Sequence, residues 1–293
     1  MNIFLTGGTG FIGKNIVSAV NKRHRIMVLV RSMNKFHNLM KQLEPCEHQN
    51  IIPVLGDLAK PNLGLDGNSL QQVLDADIII HAGGPMNIEL DQQTAEQVFL
   101  QASKEIAAVA QTIQQTKGLK HFIHIVGFMS PYNEHNFSDK KIEVLLEKSP
   151  PYEKMKFKAD MYIRHTLHSL GIPLSVVNPA VVIGDSLTGS TEQLGGLSIL
   201  VDSVRRHLMP SVPGGKKYWL PMVHVDHVAS LVSALVEEEQ PESKSYFLLD
   251  EKISSPNMKD LVAMIAKEVR VKAPTGSVPL NLLKACFDRD LEN

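Results

Sequence analysis

The run Thr6-Gly7-Gly8-Thr9-Gly10-Phe11-Ile12-Gly13 follows the short apolar stretch Asn2–Leu5 and opens a helical pattern at Phe11. A strand that passes through spaced glycines directly into a helix leaves few folds open. Glycines at 7, 10 and 13 permit a tight turn, a close approach of backbone to a ligand, and close packing of helix on strand. A helix starting there aims free N–H groups and the positive end of its dipole at an anion. Gly8-x-Gly10-x-x-Gly13 also fits the general dinucleotide fingerprint, and its strand-to-helix context makes the pattern specific for a pyrophosphate. Thr6, Gly7, Gly10, Phe11, Ile12 and Gly13 are therefore the candidate phosphate contacts.

The rest of the chain up to about residue 180 agrees with that start. Strand candidates are Asn2–Thr6, Arg25–Val30, Ile51–Leu55, Asp77–His81, His121–Val126 and Pro173–Asn178. Each is short, largely apolar and bounded by Gly, Pro or polar residues, as strands buried on both faces of a parallel sheet are. Helical stretches such as Phe11–Asn21, Asp91–Thr116 and Tyr152–Leu170 lie between them. The alternation predicts an α/β fold, a Rossmann-type doubly wound parallel sheet over residues 1–180. After Pro179 the pattern loosens into Gly- and Ser-rich turns (184–196), a helix over 197–208 and a Pro-Gly loop (210–215). A helix over 225–239, a strand over 246–249 and a helix over 256–270 follow. Residues 181–293 are thus expected to form a smaller, interleaved lobe that covers the substrate, with 220–250 returning to the first domain.

Bulk composition narrows the function. The 293 residues are 43% hydrophobic, with a formal charge of −1. That balance suits a globular protein and gives no electrostatic case for nucleic acid or an anionic membrane. No apolar run reaches roughly 18 residues, and no leader pattern opens the chain. Cys46 and Cys286 are the only cysteines. Without a CxxC pair they point to a reducing compartment and no thiolate metal site. A soluble cytoplasmic protein acting on a small molecule is the expectation.

Two further features bear on chemistry. The second strand ends in Val30-Arg31-Ser32. An acidic residue there would hold a ribose 2′-hydroxyl, whereas Arg suits a 2′-phosphate, with Ser32 or Lys35 assisting. NADP is thereby favoured over NAD. Downstream, Ser149-Pro-Pro-Tyr152-Glu-Lys-Met-Lys156 reads as a helix start with Ser149 as N-cap. Tyr152 and Lys156, four apart, share a face. A phenol ionises near pH ~10, and a neighbouring ammonium would lower that value toward useful acid–base behaviour.

Taken together, the chain resembles the extended short-chain dehydrogenase/reductase family. Thr6-Gly7-x-x-Gly10-x-x-Gly13 matches the family's cofactor motif, and Gly56-Asp57-Leu58 its adenine-contacting segment. Asp77–Gly83, ending His81-Ala82-Gly83, looks like the fourth-strand motif that backs the cofactor. Asn178-Pro179 with Gly184, and Val225-Asp226-His227-Val228-Ala229, resemble later segments. Within the family, Gly56–Asp66 (GDLAKPNLGLD) is closest to the NADP-using acyl and thioester reductases of the male sterility type. The resemblance implies cofactor contacts from Asp57, Leu58, His81, Ala82, Gly83 and Pro179. It also implies a Lys156 bond to the nicotinamide ribose, an acidic residue at 160, and a homodimer through Asp91–Thr116 and Tyr152–Leu170.

The departures are equally specific. The fifth strand should end in a Ser/Thr pair whose second hydroxyl bonds the substrate oxygen, and those positions are Val126 and Gly127. Losing one such donor typically costs ~10²–10³ in rate. Ser130 would serve only if the loop were rebuilt; a turn role before Pro131 is the simpler expectation. Where the family has Asn in the fourth helix, Phe99–Ser103 stands here, with Gln101 or Ser103 as partial substitutes. His224-x-x-His227 is a metal-like pair without an evident third ligand, so no metal is expected. Met209 and the loop to Trp219 are expected to shape a pocket, with packing as the default role of Trp219. The leading expectation is an NADP-dependent oxidoreductase reducing a carbonyl or acyl substrate, or oxidising an alcohol, through Tyr152 and Lys156. An NADP(H)-binding sensor or scaffold with weak catalysis, and a sugar-nucleotide epimerase or dehydratase holding NAD, are the alternatives.

Overall fold

The structure, a computed structural model, describes residues 1–43, 45–132, 140–192 and 195–281. The chain begins with β1 (Asn2–Thr6), α1 (Phe11–Val20), β2 (Arg25–Val30), α2 (Met33–Met40), β3 (Ile51–Leu55), α3 (Gly67–Leu74) and β4 (Ile78–His81). It continues through α4 (Gln92–Ala95), a π-helical stretch Glu96–Gln101, α5 (Ala102–Thr116), β5 (His121–Ile125), α6 (Lys140–Lys148), α7 (Pro151–Ser169) and β6 (Leu174–Pro179). Then come β7 (Val181–Ile183), α8 (Gly196–Arg205), β8 (Ser211–Pro213) and β9 (Met222–His224). The last described elements are α9 (Val225–Glu237), β10 (Lys244–Leu248), α10 (Met258–Glu268) and β11 (Gly276–Val278).

Two compact units result. The first comprises Met1–Pro179 with His224–Leu248; the second comprises Ala180–Val223 with the chain from Leu249 onward. In the first unit seven parallel strands lie in the order β10-β6-β5-β4-β1-β2-β3. This is the doubly wound α/β sheet that the strand–helix alternation predicts. The chain winds one way from β1 to β3 and the other way from β4 onward, so its switch point lies between β1 and β4, where such folds bind ligands. Ile3, Phe4, Leu5, Ile78, Ile79 and Ile80 have no exposed surface, which explains why these strands read as continuous apolar runs. The register sets Thr6 opposite His81 and His81 opposite His124, a row at the C-terminal edge of the sheet.

The second unit holds two small pairings, β7 with β9 and β8 parallel to β11, together with α8 and α10. Its core gathers Val204, Val212, Val262 and Ala266, with Met209 packed against them. Met209 is thus a packing residue there. Trp219 is half-buried and forms an isolated antiparallel bridge with Asn257. Among the described helices none is long and apolar enough to cross a membrane. The Cys46 side chain and all of Cys286 lie outside the described residues.

Several boundaries differ from the sequence expectation for local reasons. The stretch expected as one helix over Asp91–Thr116 starts with Asp91 as N-cap, accepting from Thr94 N–H, and is interrupted by the π-helical turn. No Gly or Pro marks that turn, so apolar periodicity ran straight through it. Helix α7 begins one residue later than the Ser149 cap predicts. Pro150 is its N-cap and Pro151 its first residue, while the Ser149 hydroxyl donates to Leu145 O at 2.8 Å. Helices α2, α3 and α6, which the sequence reading does not delimit, are only eight or nine residues long.

Buried histidines make this fold pH-sensitive. His121 has no exposed surface; its Nδ1 donates to Leu235 O at 3.1 Å and its Nε2 accepts from Ser175 Oγ at 2.9 Å. Burial pushes it down from 6.5 to about 4. His81 and His124 are depressed in the same direction by burial. A depressed folded-state value means that the unfolded chain takes up protons first as pH falls. Stability is therefore complete above the unfolded value near ~6.5 and is lost as pH falls through it toward the folded values. His121 alone accounts for on the order of 3 kcal/mol of that loss by pH ~4. Urea denaturation between pH 7.5 and 4 should show the decline, and His121→Asn should flatten part of the slope.

Candidate active site

The cleft at the switch point is built by backbone approach. Gly7 has φ of 76°, and a Cβ there would overlap the carbonyl oxygen of Ala82 and lie 2.7 Å from Gly83 N. A Cβ at Gly13 would overlap the Gly7 carbonyl oxygen, so α1 packs on the turn only as glycine. Gly10 N–H donates to Gly7 O at 2.9 Å, and no side chain caps α1 at Gly10. Its first-turn N–H groups are consequently left to a ligand. The cleft has a volume of about 280 Å³, and Gly7, Gly10, Asp57, Leu58, Ala82 and Gly83 all line it. Arg31 and Lys35 line it as well, at the end of β2 and the start of α2.

Other expected contacts take supporting positions. Thr6 is fully buried: its hydroxyl bonds His81 Nδ1 at 2.7 Å and accepts from Gly83 N–H at 3.2 Å, clipping β1 to the turn after β4. His81 in turn stacks on His124, with centroids 5.2 Å apart. Phe11 and Ile12 are half-buried in the first turn of α1. Pro179, buried at the end of β6, accepts from Phe128 N–H at 2.9 Å. Ser32, expected to assist Arg31, caps α2 by accepting from Lys35 N–H. The segment Gly56–Gly64 is shaped by Leu63, which is buried with φ of 57° and accepts from Asp57 N–H at 2.6 Å. That strained turn holds Asp57 at the cleft, and it is the physical content of the GDLAKPNLG segment.

Helix α7 carries Tyr152 and Lys156. The Tyr152 ring packs edge-on against Phe99 at 5.3 Å, beside Ala95, Met155 and Ala159. Its hydroxyl contacts Met86 Sδ at 3.9 Å, next in sequence to Pro85 of the cleft wall. Lys156 Nζ lies 5.7 Å from the Tyr152 ring centroid. The expected lowering of the phenol is not what the structure shows. Burial, with a smaller contribution from Glu153, pushes Tyr152 up, while burial pushes the Lys156 ammonium down. Desolvation of the anionic phenolate sets the direction, and the Lys156 ammonium is not among the groups that shift it.

Beneath this pair lies a cluster that sequence reasoning saw only in part. Asp160, with no exposed surface, accepts from Ser130 Oγ at 2.6 Å and from Arg164 Nε at 2.8 Å. Arg164 also donates to Ser245 Oγ on β10 at 3.0 Å, and His124 Nε2 stands 3.9 Å from Asp160. Burial raises the Asp160 carboxyl against the pull of Arg164 and the Ser130 bond. Ser130 N–H closes a turn on Gly127 O at 3.0 Å, so its turn role and its bond to Asp160 coincide. Gln101 donates to Glu105 at 2.6 Å, and Ser103 is buried within α5. Neither reaches out as the expected substitute. His224 and His227 make an edge-on ring contact at 5.4 Å.

A doubly wound sheet with a glycine turn at its switch point and a Tyr–Lys helix beside it defines the extended short-chain dehydrogenase/reductase class. Within that class, the chain belongs to the NAD-binding family described as "Male sterility protein", which matches residues 5–232. A putative fatty acyl-CoA reductase of Drosophila melanogaster is 28% identical over 176 residues, covering 54% of this chain and 31% of that one. A hybrid PKS-NRPS synthetase of an Acremonium species is 24% identical over 189 residues, covering 62% of this chain and 5% of that one. The chain thus spans less than a third of either relative. Among solved structures, the terminal R domain of the myxalamid PKS-NRPS pathway superposes with a TM-score of 0.74 at 21% identity. That match covers 95% of this chain and 72% of the other.

Because the Ser130 hydroxyl is committed to Asp160, Ser130→Ala should act on stability. A bond to a buried charged group is worth roughly 1.5–3 kcal/mol, so thermal and urea unfolding should register a loss of that size.

Proposed function

We propose that this chain is an NADP-dependent reductase of carbonyl or acyl-thioester groups. The observation that carries the reading is one cleft lined by the glycine turn, by Asp57 and by the cations Arg31 and Lys35. The residues present fit the cofactor. Gly7 and Gly13 leave backbone where any Cβ would collide, the uncapped start of α1 suits the pyrophosphate, and Arg31 with Lys35 suits a 2′-phosphate. When bound, the nicotinamide supplies the hydride.

The chain's own residues do the rest. Tyr152, a phenol that burial shifts further toward its neutral form, serves as proton donor to the substrate oxygen, the requirement of the reductive direction. Lys156 places a cation beside that phenol and orients the ribose. Asp57, held by the Leu63 turn, meets the adenine end. A small-molecule substrate follows from this chemistry. A second reading, an NADP(H)-binding protein with weak turnover, has one observation in its favour: Val126 and Gly127 carry no hydroxyl, and the Ser130 hydroxyl is engaged.

The test is NADPH oxidation with octanal, an octanoyl thioester and a panel of ketones. Tyr152→Phe should cut kcat by about 10²–10⁴ with NADPH affinity retained, and unchanged turnover would refute the mechanism. Tight NADPH binding without turnover over the whole panel would favour the second reading. Arg31→Ala should weaken NADPH by at least about tenfold and NADH by less than about threefold, since a bidentate charge-assisted contact to the 2′-phosphate is what separates them. Fluorescence titration of both reduced cofactors measures this.

A further inference from the structure

Gly127 stands where a hydroxyl side chain is expected, with φ of 153°, and its open side faces Lys156. A Cβ on residue 127 would lie 3.4 Å from Lys156 Nζ. A serine Oγ, one bond further out, would fall within bonding distance of the ammonium or in its place. The candidate substitutes named from the sequence are committed. Ser130 donates to Asp160, Gln101 donates to Glu105, and Ser103 is buried in α5. Lys156 Nζ, by contrast, has no hydrogen-bond partner among the described residues, and its ring contact with Tyr152 leaves its N–H groups free.

Resting on the reductase reading above, we propose that Lys156 itself donates a hydrogen bond to the substrate oxygen, taking over the part that a strand-β5 hydroxyl would play. The glycine at 127 is then not a lost function but the space that admits the ammonium. Lys156 has three donors, so one can point at the oxygen while another meets the ribose. Asp160, four residues on and beneath it, keeps the local field favourable to the cation, as its Coulombic pull on Lys156 indicates. The site would recognise an oxygen that gains negative charge, as a carbonyl does on reduction, and would bind a carboxylate as its stable mimic.

Two experiments decide it. The first measures octanoate binding to the NADPH-saturated protein by calorimetry, for the wild type, Lys156→Gln and Lys156→Arg. The proposal expects Lys156→Gln to weaken octanoate by tenfold or more and Lys156→Arg to retain part of the affinity. It is overturned if octanoate affinity stays within threefold while only NADPH affinity changes, because Lys156 would then serve the ribose alone. The second compares turnover of Gly127→Ser with Gly127→Ala, which share the same backbone strain and differ only by the hydroxyl. With Lys156 intact, the two should agree within threefold. A serine advantage of tenfold or more shows that a donor is missing and overturns the proposal. If the residue-127 variants fail to fold, by circular dichroism, the octanoate comparison alone decides. Absence of NADPH binding and of turnover in the wild type would instead refute the reductase reading itself.

Discussion

Asp160 is a carboxylate with no access to water, and the placement of α7 depends on what neutralises it. Removing a charge from water costs several kcal/mol unless partners replace the lost hydration. Here Arg164 and the Ser130 hydroxyl do so, and each partner leads to a different element. Ser130 belongs to the loop that follows β5; Arg164 continues to Ser245 on β10. One buried carboxylate thereby fixes α7 against the sheet's C-terminal edge, one turn below Lys156 and two below Tyr152. Losing Arg164 would leave that charge buried and unpaired, a penalty of about 3–5 kcal/mol, whereas losing the Ser130 hydroxyl removes one charge-assisted hydrogen bond and leaves the ion pair in place.

The cofactor side of the site rests on sterics. Gly7 and Gly13 bring the turn against the Ala82–Gly83 backbone and α1 against the turn, with no room for a side chain. This part was the most legible in sequence, because only glycine satisfies such contacts and its spacing survives as a pattern. The apolar runs of β1 and β4 were legible for a similar reason: a strand buried on both faces has no alternation to hide. Arg31 was legible too, since position alone sets it at the end of β2, and Lys35 joins it in the same cleft. Family resemblance added Asp57, whose location depends on a left-handed Leu63 that no propensity would suggest.

What sequence could not supply were relations between distant residues. Ser130 looked like a candidate donor or a turn residue; that its hydroxyl belongs to Asp160, thirty positions away, is a tertiary fact. The π-helical turn within the stretch after Asp91 had no Gly or Pro to announce it, and it sets Phe99 against the Tyr152 ring. The Ser149 cap failed because two prolines follow it and Pro150 takes that place instead. The direction of the Tyr152 shift failed for an energetic reason. Four-residue spacing promised a cation near the phenol, but not how far the ring sinks among Ala95, Phe99, Met155 and Ala159.

That burial bears on how a site without the usual hydroxyl can still polarise a carbonyl. In water, an ammonium and a hydroxyl differ little as hydrogen-bond donors to a weak acceptor, because solvent screens both. Within a desolvated site an ionised donor makes the stronger bond, roughly twice that of a neutral one. Burial lowers Lys156, so the cation is held at some cost, and that cost falls when negative charge develops on an oxygen in front of it. A neutral serine gains less from the same change. On the proposed reading, Gly127 exchanges a neutral donor on the strand for a charged one on the helix, with Asp160 below to keep it charged. A donor of that kind at the position that departs most from the family pattern would concentrate charge stabilisation in the transition state, where it alters rate rather than substrate affinity.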